Sequence, residues 1–484
     1  MPIDPGLRRL ALRTLLAAFA GTAAPEWVSR LLSEGLAGHT LFGFNIAEPV
    51  QVSTLTGALR AARPDVLIAI DEEGGDVTRL AHRTGSPYPG NAALGVVDDT
   101  DLTRAMYAAM GADLAGAGIT LNLAPTVDVN TTADNPIIGT RSFGADPLLV
   151  ARHSAAAVTG LQSSGVAACA KHFPGHGATV ADSHLELPTV DAAPDVLRRR
   201  DLPPFAAAVA AGAQAIMTAH IRVPELTGDD PATFCRAALV DLLRGEYGFR
   251  GAVITDALEM RGAAEVAGGI APGAVRALAA GADLLCIGAE VDEHLVETVV
   301  AEIVAGVRDG RLDQARLEDA AERTARLAAW TGAQPAPARP NRNVGYAAAR
   351  RAVRVEGSLV ECGGPLVVQL ESGWSIAEGR VPWGLQPHLN GTEQVTVAPA
   401  DVSAEALADR AAGRPIVVVG RHTHRTGAAR TLIERLAARH TVAVVEMGWP
   451  STWRPAHARA FVTTYGASHA NGRAAAEALG LTAR

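Results

Sequence analysis

GVAACAKHFPGHGATVADSH, residues Gly165 to His184, decides how the rest of the chain is read. Its first six residues are small and apolar, the pattern of a strand covered on both faces. At Lys171 the run gives way to a Gly/Pro-punctuated loop that holds three histidines (His172, His176, His184) and Asp182. Lys171 is the only lysine in the chain, and every other basic residue is arginine. Lysine is a compact charge on a flexible stem, whereas arginine is a flat fork, so keeping one ammonium here points to a geometric need.

The same handover from apolar strand to polar strand end recurs along the chain. His39 to Ile46, Val66 to Ile70, Ile119 to Leu123, Ala215 to Thr218, Ala252 to Thr255 and Leu284 to Ile287 read as further strands, with helical patterns between them. Buried strands alternating with helices imply a parallel sheet. Polar residues gathered at the C-terminal strand ends are the mark of an α/β barrel. The expected fold is therefore a (β/α)8-type, TIM-like barrel over residues 1–331. Seven strands are legible and an eighth is not, which leaves its regularity open. A Pro-rich linker is read at 332–343 (GAQPAPARPNRN). Over 344–484 five strands and two helices predict a smaller α/β sandwich, with no GxGxxG and no Walker loop.

At 484 residues the chain exceeds one ordinary core. With 48% hydrophobic and 19% charged residues it is globular. A formal net charge of −8 and the lack of a basic run argue against nucleic acid as a partner. No apolar stretch has the length of a membrane span. Cys169 and Cys286 lie within apolar runs and read as small buried hydrophobes. Arg8-Arg9 before LALRTLLAAFAGTAA loosely imitates a twin-arginine export signal, but Arg13 interrupts it and the leucine spacing favours an amphipathic first helix. Cytoplasmic placement is the expectation, with export left open.

Among candidate chemical groups, Asp256 ends a strand at the barrel mouth; it would serve equally as N-cap of the helix that follows. Asp182 and His184, two apart on what reads as an extended segment, would project to one side, so that the carboxylate orients the imidazole. A bland surface Asp-Ser-His is the alternative. His172, His176, Asp182 and His184 are all potential zinc ligands, yet Pro174, Gly175 and Gly177 argue against the helix that a His-x-x-x-His pair needs, so no metal and no cofactor is expected. Asp71, Arg141, Lys171 and His172 lie at strand ends or nearby loops and together would suit a polyhydroxylated ligand; the alternative for any one of them is a structural ion pair. Arg421 and His422 are candidates for a substrate contact from the second domain.

Taken together, KHFPGHG, Asp182-Ser183-His184, VITDALEM (Val253 to Met260), IDEEGG (Ile70 to Gly75), RSFG (Arg141 to Gly144) and MTAHI (Met217 to Ile221) resemble the glycoside hydrolase family 3 β-N-acetylglucosaminidases, the NagZ-like branch in its two-domain form. The resemblance implies a retaining exo-glycosidase acting on GlcNAc-containing oligosaccharides from chitin or peptidoglycan. It implies Asp256 as nucleophile and His184 as acid/base, oriented by Asp182 on a mobile loop. It further implies Asp71, Arg141, Lys171, His172, His220 and Met260 as substrate-binding residues. Asp76 departs from the pattern, standing where the family carries a base.

A histidine as acid/base does not repel an incoming anion as a carboxylate would, so inorganic phosphate is the alternative acceptor and a β-N-acetylglucosaminide phosphorylase the alternative activity. A catalytically silent sugar-binding protein and a β-glucosidase are the other readings. Gly175 and Gly177 read as the hinge on which the loop would swing His184.

Overall fold

The computed structural model describes residues 4–333, 341, 343–360 and 362–482. Most of the linker read at 332–343 lies outside them. The chain forms two compact units. The first comprises Met1–Glu72, Thr103–Ile137 and Ala145–Pro340; the second comprises Glu73–Leu102, Ile138–Gly144 and Asn341–Arg484.

In the first unit eight parallel strands make one sheet: β1 Leu15–Ala17, β2 Gly38–Leu41, β3 Leu67–Ile70, β4 Leu121–Asn122, β5 Ala167–Phe173, β6 Ala215–Thr218, β7 Ala252–Ile254 and β8 Leu285–Cys286. They run in the order β7-β6-β5-β4-β3-β2-β1-β8. The seam between β7 and β8 is narrow. A single bridge joins Ile254 to Leu284. The buried carboxylate of Asp283 stitches it further, accepting from Val253 N at 2.8 Å while Arg244 and Arg316 neutralise it. Backbone bonds complete the closure of the (β/α)8 barrel: Asp283 N and Leu284 N donate to Val253 O at 2.8 and 3.1 Å, and Thr255 N to Leu284 O at 3.0 Å.

The eighth strand is β1, which lies inside the segment that leucine spacing assigns to one amphipathic helix. That helix ends at Leu12. Leu15, Leu16 and Ala17 leave it to pair with Gly38, His39, Leu285 and Cys286. Three buried residues are too few for alternation to separate strand from helix, and the pairing partners are far away in sequence. Arg8, in the stretch that imitates an export signal, is bonded to Glu34 and Glu297 at 2.6 Å each.

His39 of β2 is fully buried on the outer side of the barrel, edge-on to Phe19 and Trp27, with no hydrogen-bond partner for either ring nitrogen. Burial pushes its pKa down to about 3. An unfolded histidine titrates near 6.5, so between those values the unfolded chain binds a proton that the native state refuses. Stability is therefore lost as pH falls below about 6.5. At pH 5 the penalty is about 2 kcal/mol. His39→Leu should cut the difference in unfolding free energy between pH 7.5 and pH 5 by about that amount, read from urea titrations at the two pH values.

The second unit is built on a six-stranded sheet: β9 Arg354–Gly357, β10 Leu366–Leu370, β11 Gln394–Val397, β12 Ile416–Gly420, β13 Val442–Glu446 and β14 Ala460–Thr463. The order is β11-β10-β12-β13-β14-β9, with β9 antiparallel on the edge and the rest parallel. Alternate residues of β10 and β12 feed two separate cores, Leu366, Val368 and Val418 in one and Val367, Val417 and Val419 in the other. The sheet is covered on both faces, an α/β sandwich. β9 escapes sequence reading because all four of its residues are exposed and no apolar alternation marks it.

Two segments that precede the sandwich in sequence belong to it by contact. Asp76, on the loop after β3, accepts from Ala467 N at 2.8 Å and from Thr140 Oγ1 at 2.6 Å. Arg421 lies 3.4 Å from Asp76 and 2.8 Å from Glu378. The acidic residue at 76 thus meets a base supplied from elsewhere in the chain.

Candidate active site

The alternation of side chains along the barrel strands selects what enters the mouth. Leu67 and Ala69, Ala167 and Cys169, and Ala252 and Ile254 share one buried cluster inside the barrel. Two residues further along β3, β5 and β7 come Asp71, Lys171 and Asp256, on the same inward face. Lys171 Nζ donates to Asp71 Oδ1 at 2.7 Å, and its side chain is 3% exposed. Ala257 N donates to Asp256 Oδ1 at 2.9 Å. Burial drives the Asp256 carboxyl upward, but the charges of His172, His220, His184 and Lys171 outweigh it and hold the group below the usual carboxylate range. The following helix, Arg261–Ala267, is capped at Met260 with no side-chain cap bond. Asp256 is therefore not its N-cap.

The histidine loop is organised by a carboxylate that the sequence reading passed over. Asp128 lies in TVDVN after β4 and is fully buried. Its Oδ2 meets His172 Nδ1 at 2.7 Å and its Oδ1 accepts from His176 N at 2.6 Å. Burial works against its charge, yet the two histidines beside it leave its pKa below the ordinary value. The ring of His176 is held between Thr179 Oγ1 at 2.8 Å and Ser183 Oγ at 3.1 Å. Among the described residues no group of three or more His, Cys, Asp or Glu side chains converges as a metal site would.

Asp182 and His184 do meet, for a different reason from the one strand periodicity offers. The segment is a turn, with Leu185 N and Glu186 N both donating to Asp182 O. Asp182 Oδ1 accepts from His184 N at 2.9 Å and lies 2.6 Å from His184 Nδ1. An aspartate that opens a turn folds its carboxylate back over the second residue on, and here the imidazole is caught as well. Desolvation raises the Asp182 carboxyl, but its bonds from His184 prevail and keep it below the ordinary range. Gly262 N donates to Ser183 O at 3.2 Å, which rests this turn on the segment just beyond Asp256. The two glycines read as a hinge serve close approach. A Cβ on Gly177 would stand 2.0 Å from Val129 O, and one on Gly175, at φ +127°, would stand 2.7 Å from Asp201 Cβ.

His220 corrects another expectation. It is fully buried, with Nδ1 on Thr233 Oγ1 at 2.7 Å and Nε2 on Ala257 O at 3.0 Å. Both ring nitrogens are committed, so it steadies the backbone next to Asp256 and has none left for substrate. Met260 is buried at the head of the helix behind Asp256. Arg141 belongs to the second unit, where its guanidinium is bidentate to Glu73 at 2.8 and 2.9 Å. Arg421, read as a substrate contact, is instead buried in its ion pairs with Glu378 and Asp76, and His422 N donates to the buried Glu446 carboxylate at 2.6 Å. Cys169 and Cys286 are free and buried, and desolvation pushes both thiols up.

Against known proteins, residues 14–327 match the glycosyl hydrolase family 3 N-terminal domain. The chain belongs to glycosyl hydrolase family 3. A relative from Pseudoalteromonas piscicida named β-hexosaminidase A is 34% identical over 335 residues, covering 64% of this chain and 56% of that protein. A β-hexosaminidase of Stenotrophomonas maltophilia strain K279a is 40% identical over 296 residues, 58% of this chain and 85% of its own length. Among solved structures, the family 3 β-N-acetylglucosaminidase from Paenibacillus sp. str. FPU-7 superposes with a TM-score of 0.89 at 30% identity, covering 99% of this chain and 97% of that one. This family 3 chain is thus a glycoside hydrolase. Among its described residues no helix is long and apolar enough to cross a membrane.

Proposed function

We propose that this family 3 protein is a retaining exo-β-N-acetylglucosaminidase that removes terminal β-linked GlcNAc from chitin- or peptidoglycan-derived oligosaccharides. The observation that carries the reading is the inward-facing Asp256, kept ionised by surrounding positive charge that includes the Asp182-bound His184. In the first step Asp256 attacks the anomeric carbon as the glycosidic bond breaks, and His184 gives a proton to the departing oxygen. In the second His184 takes a proton from water, whose oxygen attacks the same carbon and frees Asp256. Asp182, ionised at neutral pH, fixes the ring and stabilises its charged form. Asp71, Lys171 and His172 hold the sugar hydroxyls; Arg141 is proposed for the same role on the RSFG motif alone. The relatives named β-hexosaminidase support the substrate class.

Paired assays test the proposal. An aryl β-N-acetylglucosaminide should be cleaved at least about tenfold faster, by kcat/KM, than the matching β-glucoside. The rate should not change from zero to high phosphate, with free GlcNAc as product. Faster cleavage of the glucoside would overturn the sugar assignment. GlcNAc 1-phosphate as product would replace water with phosphate as the acceptor.

A further inference from the structure

At the C-terminal end of β2 lies an aromatic pair to which neither the motifs nor the chemistry above gives a role. In the β2–β3 register Thr40 stands beside Ala69 and Leu41 beside Ile70. Ala69 faces the barrel interior, so its partner Thr40 does too. Extended one step past its last pair, that register would bring Phe42 level with Asp71, at an interstrand spacing of about 4.8 Å. Phe42 keeps extended backbone, φ −105° and ψ 173°, so the alternation continues and its ring enters the mouth on the same side as Asp71. Phe44 is stacked on it, with ring centroids 5.4 Å apart at 14°.

Phe44 is 48% exposed. The turn that presents it is fixed in advance. Phe42 N donates to Asn45 Oδ1 at 2.9 Å, and buried Asn45 donates through Nδ2 to Phe19 O at 2.8 Å and Gly21 O at 2.7 Å. A rigid backbone holding an exposed ring beside a polar ligand group is the arrangement of a binding wall, in which apolar surface gives area and a few polar groups set orientation. The strand order places β2 next to β3 and three strands from β7 by way of β1 and β8. The pair therefore sits with Asp71, across the mouth from Asp256.

We infer that Phe42 and Phe44 form the apolar platform of the sugar site, packing against the C–H face of the pyranose at the end remote from the anomeric carbon. The inference rests on the glycosidase reading, which puts that carbon at Asp256. It makes Phe44 a specificity residue for the terminal sugar and not for the leaving group.

The test uses Phe44→Ala and Phe44→Trp in the full chain. Phe44→Ala should raise KM for aryl β-N-acetylglucosaminides, and Ki for free GlcNAc, about tenfold, by the same factor for every leaving group and with little change in kcat. The fluorescence of Phe44→Trp, measured against the wild-type background, should shift on addition of GlcNAc. Unchanged KM and Ki in Phe44→Ala, together with no fluorescence response in Phe44→Trp, would overturn the platform. A KM change that varies with the leaving group would place the pair on the other side of the bond and overturn it as well. If the fluorescence of Phe44→Trp responds to glucose and not to GlcNAc, with the glucoside as the better substrate, the platform stands and the N-acetylglucosaminidase reading falls.

Discussion

Asp256→Asn is expected to lower kcat by at least about 10⁴-fold on every leaving group while leaving the fold intact. The amide has no charge with which to attack carbon, and the positive surroundings that hold Asp256 ionised then face a neutral group. The fold should not suffer, because the bond that Asp256 accepts from Ala257 N is one that an asparagine Oδ1 accepts as well. Thermal unfolding and affinity for GlcNAc should both stay close to wild type. Those two controls separate a lost nucleophile from a disturbed barrel. If Asp256→Asn kept more than a small fraction of wild-type kcat, the nucleophile would have to be sought elsewhere.

His184→Ala carries the second large effect, and its size should depend on the leaving group. For an oligosaccharide, whose departing alkoxide needs a proton, the loss should be about 10²- to 10⁴-fold. For a dinitrophenyl glycoside, which leaves without protonation, the first step should proceed nearly unchanged and the intermediate should accumulate. Added azide, needing no general base, should then restore turnover and give a β-glycosyl azide. Asp182→Asn should show a milder form of the same pattern, since it removes the ionised partner at His184 Nδ1 and leaves the imidazole. An equal loss on all leaving groups, with no response to azide, would mean that His184 shapes the loop and transfers no proton.

The parts of this molecule that were legible in sequence are those where local pattern and long-range structure agree. Ala215 to Thr218 and Val442 to Glu446 occur as strands with the boundaries that their apolar runs suggest. Asp71, Lys171 and Asp256 end such runs, and alternation alone brings them to one face. What was hidden depends on partners distant in the chain. Leu15–Ala17 is a strand only because β2 and β8 flank it. Asp128 looks like any loop aspartate until the fold buries it against His172, 44 residues on. Asp76 and Arg421, 345 positions apart, read separately as an anomaly and as a ligand; together they are an ion pair of the second unit. The Asp182–His184 contact was expected on the wrong backbone, because a turn and a strand both bring residues i and i+2 together, and only the hydrogen bonds tell them apart.

The most direct test of the central claim is to trap the glycosyl-enzyme. Incubation with a 5-fluoro-N-acetylglucosaminyl fluoride, which slows both steps and the second more, followed by digestion and mass spectrometry, should place one sugar on the peptide that contains Asp256. A label on any other residue, or turnover with inversion at the anomeric carbon and no adduct, would contradict the account.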